Sequence, residues 1–325
     1  MAVRRRRAGR FRRILTALSV LVLLGGTAYF AAQRLKEDRL AAQNEQIRST
    51  FYAATEAPVP SATPEMFYPE TPLISPEPSA EAEMPAHTKG PYDYIFNFPE
   101  LPSVVDKLKQ EGPAEGGFQP QFAELYEVNG DLIGWIRMAD CVDYPLLWRD
   151  NVFYMDHDFF GNPSQAGAIF LDERSAPDLS DGAMLIYGHN MRAGTMFGEL
   201  DRYREMDYLV RYPTLELQSA WESKPRTYVL ISLFDASMNR DDPSYINIVR
   251  MSFADDAEKE VYLEELRNRS MYDIPIDADA GDQLVTLVTC SYSHKNGRFL
   301  LVARQLREGE TVEDICEKMN ALRAQ

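Results

Sequence analysis

Short apolar runs separated by turn residues dominate the second half of the chain. Runs of four to eight residues rich in Val, Ile, Leu and aromatic side chains are typical of β-strands. We identify eight: Leu132–Met138, Val142–Trp148, Ala168–Leu171, Ala183–Tyr187, Tyr208–Leu217, Thr227–Phe234, Leu284–Cys290 and Phe299–Gln305. Eight short strands with few helices between them predict a mainly β fold, either a barrel or a sandwich.

Helical spacing of apolar residues is found beside these strands. Two helices, Pro102–Gln110 and Pro120–Val128, are predicted before the first strand. A third, Ala254–Arg269, follows a capping-box-like start at Ser252 and separates the sixth strand from the seventh. A last helix starts at Thr311, and its apolar side chains share one face. They are Val312, Ile315, Cys316, Met319 and Leu322, so Cys316 is expected in the core.

The first 91 residues differ in composition from the rest. Residues 1–13 hold seven arginines and no acid, and predict a cytoplasmic tail. The uncharged run Ile14–Ala32 has 19 residues, about 28 Å as a helix, which predicts a transmembrane signal-anchor rather than a cleaved signal peptide. Residues 33–91 predict a short charged helix, Gln33–Ala54, and then a Pro- and Glu-rich disordered stalk from Glu56 to Pro91. Residues 92–325 have the composition of one globular domain.

This organisation predicts a single-pass protein of the cell membrane. Its N-terminus would be cytoplasmic, its globular domain extracellular, and the lipid bilayer would contact the anchor. The net charge of −16 makes nucleic acid an improbable partner. Three cysteines are too few for a disulfide scaffold, and no metal-ligand spacing is visible, so we expect neither a metal nor another cofactor.

The segment from Leu284 to Arg304 carries the candidate chemistry. It predicts a strand, a short loop with the turn signal Asn296-Gly297, and a second strand. If the strands pair antiparallel, Cys290 and Arg298 lie opposite each other, and a guanidinium beside a thiol favours the thiolate. A buried structural Cys beside an Arg that reaches solvent is the alternative. Cys141, between two strands, is interpreted as structural.

A cysteine nucleophile needs a base or an imidazolium nearby. His189 follows the strand Ala183–Tyr187 through Gly188, and so lies at a rigid strand end. His294 lies in the loop after Cys290 and remains the alternative partner on these grounds. His157 lies among acids and aromatics and is interpreted as a hydrogen-bonding loop or core residue, and His87 in the stalk is given no role.

Three groups of residues resemble the catalytic motifs of class B sortases. Tyr187-Gly-His-Asn-Met191, with Gly194-Thr-Met-Phe197, resembles the histidine motif. Thr286-Leu-Val-Thr-Cys290 and Arg298-Phe-Leu-Leu-Val-Ala303 resemble the cysteine and arginine motifs. Upstream segments are similar too, and the resemblance spans about Phe118 to Arg304. These segments are Asn129–Ile136, Asp143–Pro145, Asp150–Asp158 and Gly167–Phe170.

The resemblance implies an eight-stranded sortase β-barrel with N-terminal helices, a helix between strands 6 and 7, and a C-terminal helix. It also implies a Gram-positive, membrane-anchored cysteine transpeptidase that attaches proteins to the cell wall. The expected reaction cuts a C-terminal sorting signal after Thr, through a thioacyl-enzyme intermediate, and transfers the acyl group to an amine. The partners would be surface proteins with that signal and a peptidoglycan precursor or another amine acceptor.

The resemblance also assigns roles to individual residues. Cys290 would be the nucleophile, His189 the acid and base, and Arg298 the oxyanion donor. Six residues are expected to bind substrate: Asn151, Met155, Tyr187, Tyr245, Ile246 and Thr289. Many class B members have Ser at the position of Val288, and some have Glu at the position of Ser291. An Asn-Pro-x-Thr signal and a Ser/Pro-Pro-x-Thr signal therefore both remain open. A cysteine endopeptidase of the same fold and a non-enzymatic surface-binding module are the alternatives.

Overall fold

The structure, a computed structural model, describes residues 2–56, 118–247, 250–291 and 297–324. Contacts divide the chain into two compact units, Met1–Ser49 and Thr50–Gln325. Three earlier predictions fall wholly or almost wholly on residues outside this description: the helix Pro102–Gln110, the stalk Glu56–Pro91 with His87, and the loop histidine His294.

The N-terminal segment forms one helix, α1, from Ala2 to Glu56, which includes the predicted helix Gln33–Ala54. Among the helices of the described residues, none combines the length and the apolarity needed to cross a membrane. This finding contradicts the predicted single-pass placement in the cell membrane.

Eight strands close into a barrel, as predicted. In order along the chain they are β1 (Leu132–Met138), β2 (Val142–Trp148), β3 (Phe170–Leu171), β4 (Ala183–Tyr187), β5 (Thr214–Ser219), β6 (Arg226–Ser237), β7 (Leu284–Ser291) and β8 (Gly297–Gln305). Around the barrel the order is β1-β2-β3-β4-β7-β8-β6-β5. The pairs β2–β3 and β4–β7 are parallel, and the other neighbours are antiparallel.

Burial explains why these runs form strands. In β4 and in β8 nearly every residue is buried, which accounts for continuous apolar runs without alternation. β5 alternates between half-buried and buried positions and therefore faces solvent on one side. At the end of α1, Phe51 stacks on Trp135 of β1 with 4.1 Å between ring centroids. Tyr52 donates a hydrogen bond to Asp143 of β2 at 3.0 Å, so this turn of α1 is fixed on the barrel wall.

Four further helices lie among the described residues: α2 (Ala123–Val128), α3 (Met206–Arg211), α4 (Asp256–Arg269) and α5 (Val312–Asn320). α2 confirms most of the predicted helix Pro120–Val128, and a 3-10 turn, Pro120–Phe122, precedes it. α4 lies between β6 and β7 as predicted, but its N-cap is Asp255, whose side chain accepts from the Glu258 amide, and not Ser252. α5 begins after Thr311, which forms a capping box with Asp314.

The predicted strand Tyr208–Leu217 is wrong in its first half. Residues Met206–Arg211 form α3, and the strand β5 starts only at Thr214. Tyr208, Leu209 and Val210 are all buried in this helix. A short apolar run of this kind fits a buried helix as well as a buried strand. Pro213 then separates the helix from the strand.

Candidate active site

Cys290 of β7 and Arg298 of β8 are register partners. The two strands form an antiparallel hairpin in which Leu284 pairs with Arg304 at one end and Ser291 with Gly297 at the other. The predicted opposition of Cys290 and Arg298 is confirmed at the level of the backbone. Register partners in an antiparallel pair have Cβ atoms about 5 Å apart. The fold therefore brings a sulfur-bearing position and a guanidinium-bearing position together at the loop end of the hairpin.

His189 reaches the same place from a different strand. β4 and β7 run parallel, and Tyr187 pairs with Val288. The Gly188 amide continues this pairing by donating to the Val288 carbonyl at 3.3 Å. His189 lies two residues after Tyr187, and Cys290 lies two residues after Val288. Both therefore leave the barrel at the same end of adjacent strands. Their juxtaposition comes from strand order, not from proximity in sequence.

The Arg298 side chain is almost completely buried, with 2% of its surface exposed. Its Nη1 donates to the Gly297 carbonyl at 2.9 Å. A buried guanidinium is costly unless it is hydrogen-bonded and faces negative charge. Arg298 thus supplies a fixed positive charge that any anion formed at this end of the barrel would encounter.

His189 is half-buried, and its Nε2 lies 2.6 Å from the Met155 carbonyl oxygen. Since a carbonyl only accepts, Nε2 carries a proton and donates it. Burial lowers the pKa of His189 below its ordinary value, and the positive charge of Arg298 adds to this effect. The Met155 carbonyl and Asp156 act in the opposite direction but do not compensate. The imidazolium is consequently less populated at neutral pH than it would be in water.

A narrow cavity of about 10 Å³, room for about one water molecule, lies between these residues. Five of the predicted site residues line it together with three neighbours: Met155, Tyr187, His189, Thr289 and Arg298, with Phe170, Gly188 and Val288. Thr289 is 2% exposed, and its Oγ1 has no hydrogen-bond partner within the described part of the chain. The cavity therefore offers a buried hydroxyl beside an imidazole and a guanidinium.

Tyr187 has a structural use for its hydroxyl. The Oη donates to Asp172 Oδ2 at 2.8 Å, and Asp172 is completely buried. Arg174 clamps the same carboxylate, with Nε 2.8 Å from Oδ1 and Nη2 2.8 Å from Oδ2. Burial, then the Asp172 charge, raises the pKa of Tyr187 well above its ordinary value. Neither Asp172 nor Arg174 was predicted to have a role, because nothing local in Asp172-Glu-Arg174 distinguishes it from a solvated loop.

The other predicted substrate-binding residues lie in different environments. Asn151 is 2% exposed; its Oδ1 accepts from the Glu173 amide at 2.8 Å, while Met155 lines the cavity. Tyr245 forms an isolated bridge with Ser237, and its carbonyl accepts from Arg269 at 2.9 Å. Ile246 is buried. Tyr245 and Ile246 do not contribute to the cavity wall, whose described lining residues come from other segments.

The remaining histidine and cysteines of the described residues are outside the site. His157 Nδ1 lies 3.0 Å from the Phe153 carbonyl oxygen and 2.6 Å from Asp156 Oδ1, which confirms it as a hydrogen-bonding loop residue. Cys141 is a buried free thiol whose pKa is raised to about 11 by burial. Cys316 is also free but only half-buried, so the prediction that it belongs to the core was too strong. Cys316 lines a surface depression together with Arg211 and Arg323.

Comparisons with known proteins identify the family of the chain. A model of the Sortase domain matches residues 142–306. Sortase B of Listeria monocytogenes is 30% identical over 190 residues, which are 57% of this chain and 74% of the Listeria protein. A crystal structure from Bacillus anthracis, described as similar to sortase B, is 29% identical with a TM-score of 0.52, covering 61% of this chain and 87% of its own.

Sortase B of Clostridium perfringens, also known from an X-ray structure, is 29% identical with a TM-score of 0.52 and covers 57% of this chain and 99% of its own. The matched residues include seven of the eight barrel strands, β2 to β8, and therefore His189, Cys290 and Arg298. The chain thus belongs to the sortase family, in class B, and is a cysteine transpeptidase of the kind that attaches proteins to the cell wall.

Proposed function

We propose that this sortase cleaves a C-terminal sorting signal of the Asn-Pro-x-Thr or Ser/Pro-Pro-x-Thr kind after its Thr, with Cys290 as nucleophile. The observation that carries the proposal is the meeting of three positions at one end of the barrel. Cys290 and Arg298 are register partners, and His189 follows the parallel strand beside Cys290. No other described histidine lies at this strand end, since His157 is engaged with its own loop.

The first half of the reaction would consume the peptide bond. The Cys290 thiolate attacks the Thr carbonyl carbon, and the carbonyl electrons move onto oxygen. Arg298 donates hydrogen bonds to this oxyanion. When the tetrahedral intermediate collapses, the C–N bond breaks, and the imidazolium of His189 gives its proton to the departing amine. The products are a thioacyl enzyme, a neutral imidazole and a free amine.

The second half would restore the enzyme. An amine of a peptidoglycan precursor, or another amine acceptor, attacks the thioester carbon. His189 takes the proton that the amine loses, and the C–S bond breaks to return the thiolate. The acceptor nitrogen ends in a new amide bond. Water in place of the amine would make the same site an endopeptidase.

Protonation limits the rate of this scheme. Ordinary pKa values near 8.5 and 6.5 would give about a tenth of each group in the required form near pH 7.5. Since the pKa of His189 is lowered, its imidazolium fraction is smaller than that. The adjacent Arg298 charge acts oppositely on the thiol by favouring the thiolate. A slow enzyme that depends on a minor protonation state is the expected result.

Amine dependence of the products tests the proposal. The full chain is incubated with peptides carrying each of the two signals, with and without a small primary amine, and the products are separated by chromatography. We expect cleavage after Thr and conversion of the acyl product from acid to amide as the amine concentration rises. Cleavage whose product is the free acid at every amine concentration would support the endopeptidase instead.

A further inference from the structure

We propose that Gly167 and the backbone carbonyl of Met155 form a seat that holds His189 in its Nε2–H form, so that the acid–base proton is exchanged at Nδ1. The inference rests on the proposed function, because it assigns a positioning role at the same site. The resemblance assigns Met155 a role in substrate binding and assigns Gly167 none. The geometry points to the main chain of one residue and to the missing side chain of the other.

The hydrogen bond from His189 Nε2 to Met155 O, at 2.6 Å, defines the tautomer. A neutral imidazole has one N–H, and the nitrogen that donates to a fixed acceptor keeps it. In the Ser-His-Asp arrangement a carboxylate orients the histidine in this way. Here a neutral carbonyl takes that place, and the proton that catalysis adds and removes is the one at Nδ1.

The Met155 carbonyl is fixed by its own segment. Asp150 Oδ1 accepts from the amides of Val152 at 3.0 Å and Phe153 at 2.9 Å, at the start of the 3-10 turn Phe153–Met155. The next carbonyl upstream, that of Tyr154, accepts from the Ala168 amide at 3.0 Å. The Tyr154 hydroxyl donates to Asp131 Oδ2 at 2.8 Å. The acceptor of the His189 proton is therefore held by bonds on both sides of the turn.

Gly167 keeps the space behind this acceptor empty of side-chain atoms. A Cβ at this position would lie 2.4 Å from Tyr154 O, 3.0 Å from Met155 O and 3.0 Å from His189 Cδ2. The residue also has φ of +57°, which favours glycine. A Cβ would displace the Tyr154 carbonyl most, and it would also press on the Met155 carbonyl and the imidazole ring, each of which would have to give by a few tenths of an ångström. Gly167 thus allows the two to reach hydrogen-bonding distance.

Gly161 provides a matched control in the same part of the chain. It too has a positive φ, +74°, but a Cβ there would have no neighbour within 4 Å. Gly161→Ala therefore carries the backbone strain of a positive φ without crowding the imidazole. A comparison of Gly167→Ala with Gly161→Ala separates the seat from general strain.

The test reads the tautomer directly in the full chain. The four histidines are labelled with ¹⁵N, and the His189 signals are assigned by their loss in His189→Gln. Nitrogen–proton correlation spectra are recorded over a pH series. The charged groups that shift the His189 pKa are Arg298 and Asp156. In the wild type above that pKa we expect a neutral ring protonated at Nε2. A ring protonated at Nδ1, or a fast mixture of both forms, overturns the proposal.

The variants give the second readout. We expect Gly167→Ala to lose the single tautomer and to lower kcat about 10-fold to 100-fold, because small displacements of a catalytic group have effects of this size. KM should change by less than about 2-fold, and Gly161→Ala should retain both the spectrum and kcat. Equal kcat in Gly167→Ala and Gly161→Ala contradicts the seat. If no peptide is cleaved but the wild-type ring is protonated at Nε2, the proposed function fails and the seat stands.

Discussion

Tyr187 of β4 and Val288 of β7 are register partners in a parallel pair, and each lies two residues before a predicted catalytic residue. His189 and Cys290 therefore leave the barrel side by side, although about a hundred residues separate them in the chain. The antiparallel hairpin of β7 and β8 adds Arg298 opposite Cys290. Two ladders of different direction, sharing β7, thus determine where all three positions meet.

Arg298→Lys tests whether the guanidinium fork matters beyond its charge. Lysine keeps the positive charge but loses the planar set of donors. We expect kcat/KM for signal peptides to fall about 100-fold or more, the size seen when an oxyanion donor is removed. Arg137→Lys, at a half-exposed residue of β1 paired with Glu216, is the control and should change kcat/KM by less than about 2-fold. Equal activity of the two variants would remove Arg298 from the proposed mechanism.

Tyr187→Phe tests whether this hydroxyl is structural or contacts substrate. Because the Oη donates to the fully buried Asp172, we expect the free energy of unfolding to fall by about 1–3 kcal/mol. KM should remain within about 2-fold, since the ring that lines the cavity is retained. Chemical denaturation and peptide kinetics measure the two effects. A higher KM with unchanged stability would instead support the predicted substrate contact.

The lowered pKa of His189 predicts a pH dependence of stability. A histidine whose pKa is lower in the folded state binds more protons when unfolded. Its contribution is therefore complete above the unfolded pKa of about 6.5 and is lost as the pH falls through that value toward the lower folded pKa. The unfolding free energy of wild type should decrease more steeply over this range than that of His189→Gln. Parallel curves for the two proteins would show that burial does not perturb this imidazole.

Glu310 and Arg304 predict a separate acid-labile contact at the other end of β8. Arg304 is completely buried, and its Nη1 and Nη2 lie 2.7 and 2.8 Å from the Glu310 carboxylate. Hydrogen bonding to Arg304 lowers the pKa of Glu310 to about 2. The contribution is present above the unfolded pKa of about 4.3 and is lost as the pH falls toward 2.

Removing the Glu310 charge leaves Arg304 buried without its closest carboxylate. We expect Glu310→Gln to lower the unfolding free energy by about 3 kcal/mol at neutral pH. Glu308→Gln, at an exposed position two residues earlier, should change it by less than about 0.5 kcal/mol. Calorimetry at neutral pH compares the two variants. A loss for Glu310→Gln no larger than that for Glu308→Gln would mean that Asp277 and Asp282, each 3.8 Å from Arg304, suffice to compensate it.

Local sequence signals predicted the parts of the fold that depend on local contacts. The hairpin and the opposition of Cys290 and Arg298 followed from two apolar runs joined by a loop with Asn296-Gly297, because a short loop restricts the register. β1 and β2 were predicted with their observed bounds because turn residues clearly separate their apolar runs. By contrast, the run at Tyr208 was ambiguous, since a short apolar run has no distinguishing period.

Non-local contacts could not be predicted from residue patterns alone. The parallel pairing of β4 with β7 joins segments that are far apart, and only the resemblance to sortases selected His189 over His294. The Asp172–Arg174 clamp and the Gly167 seat have no sequence signature, because each depends on which atoms the folded chain places nearby. The predicted membrane anchor relied on the length and charge pattern of residues 14–32, and the helices of the described residues do not support it.

The intact mass of the full chain after incubation with signal peptides shows whether Cys290 carries the acyl group. We expect an adduct equal to the acyl part of a peptide ending in Thr, absent in Cys290→Ala, retained in Cys141→Ala and Cys316→Ala, and discharged by a small amine. Peptide cleavage that persists in Cys290→Ala, or an adduct that maps to another cysteine, would contradict the assignment of Cys290 as the nucleophile.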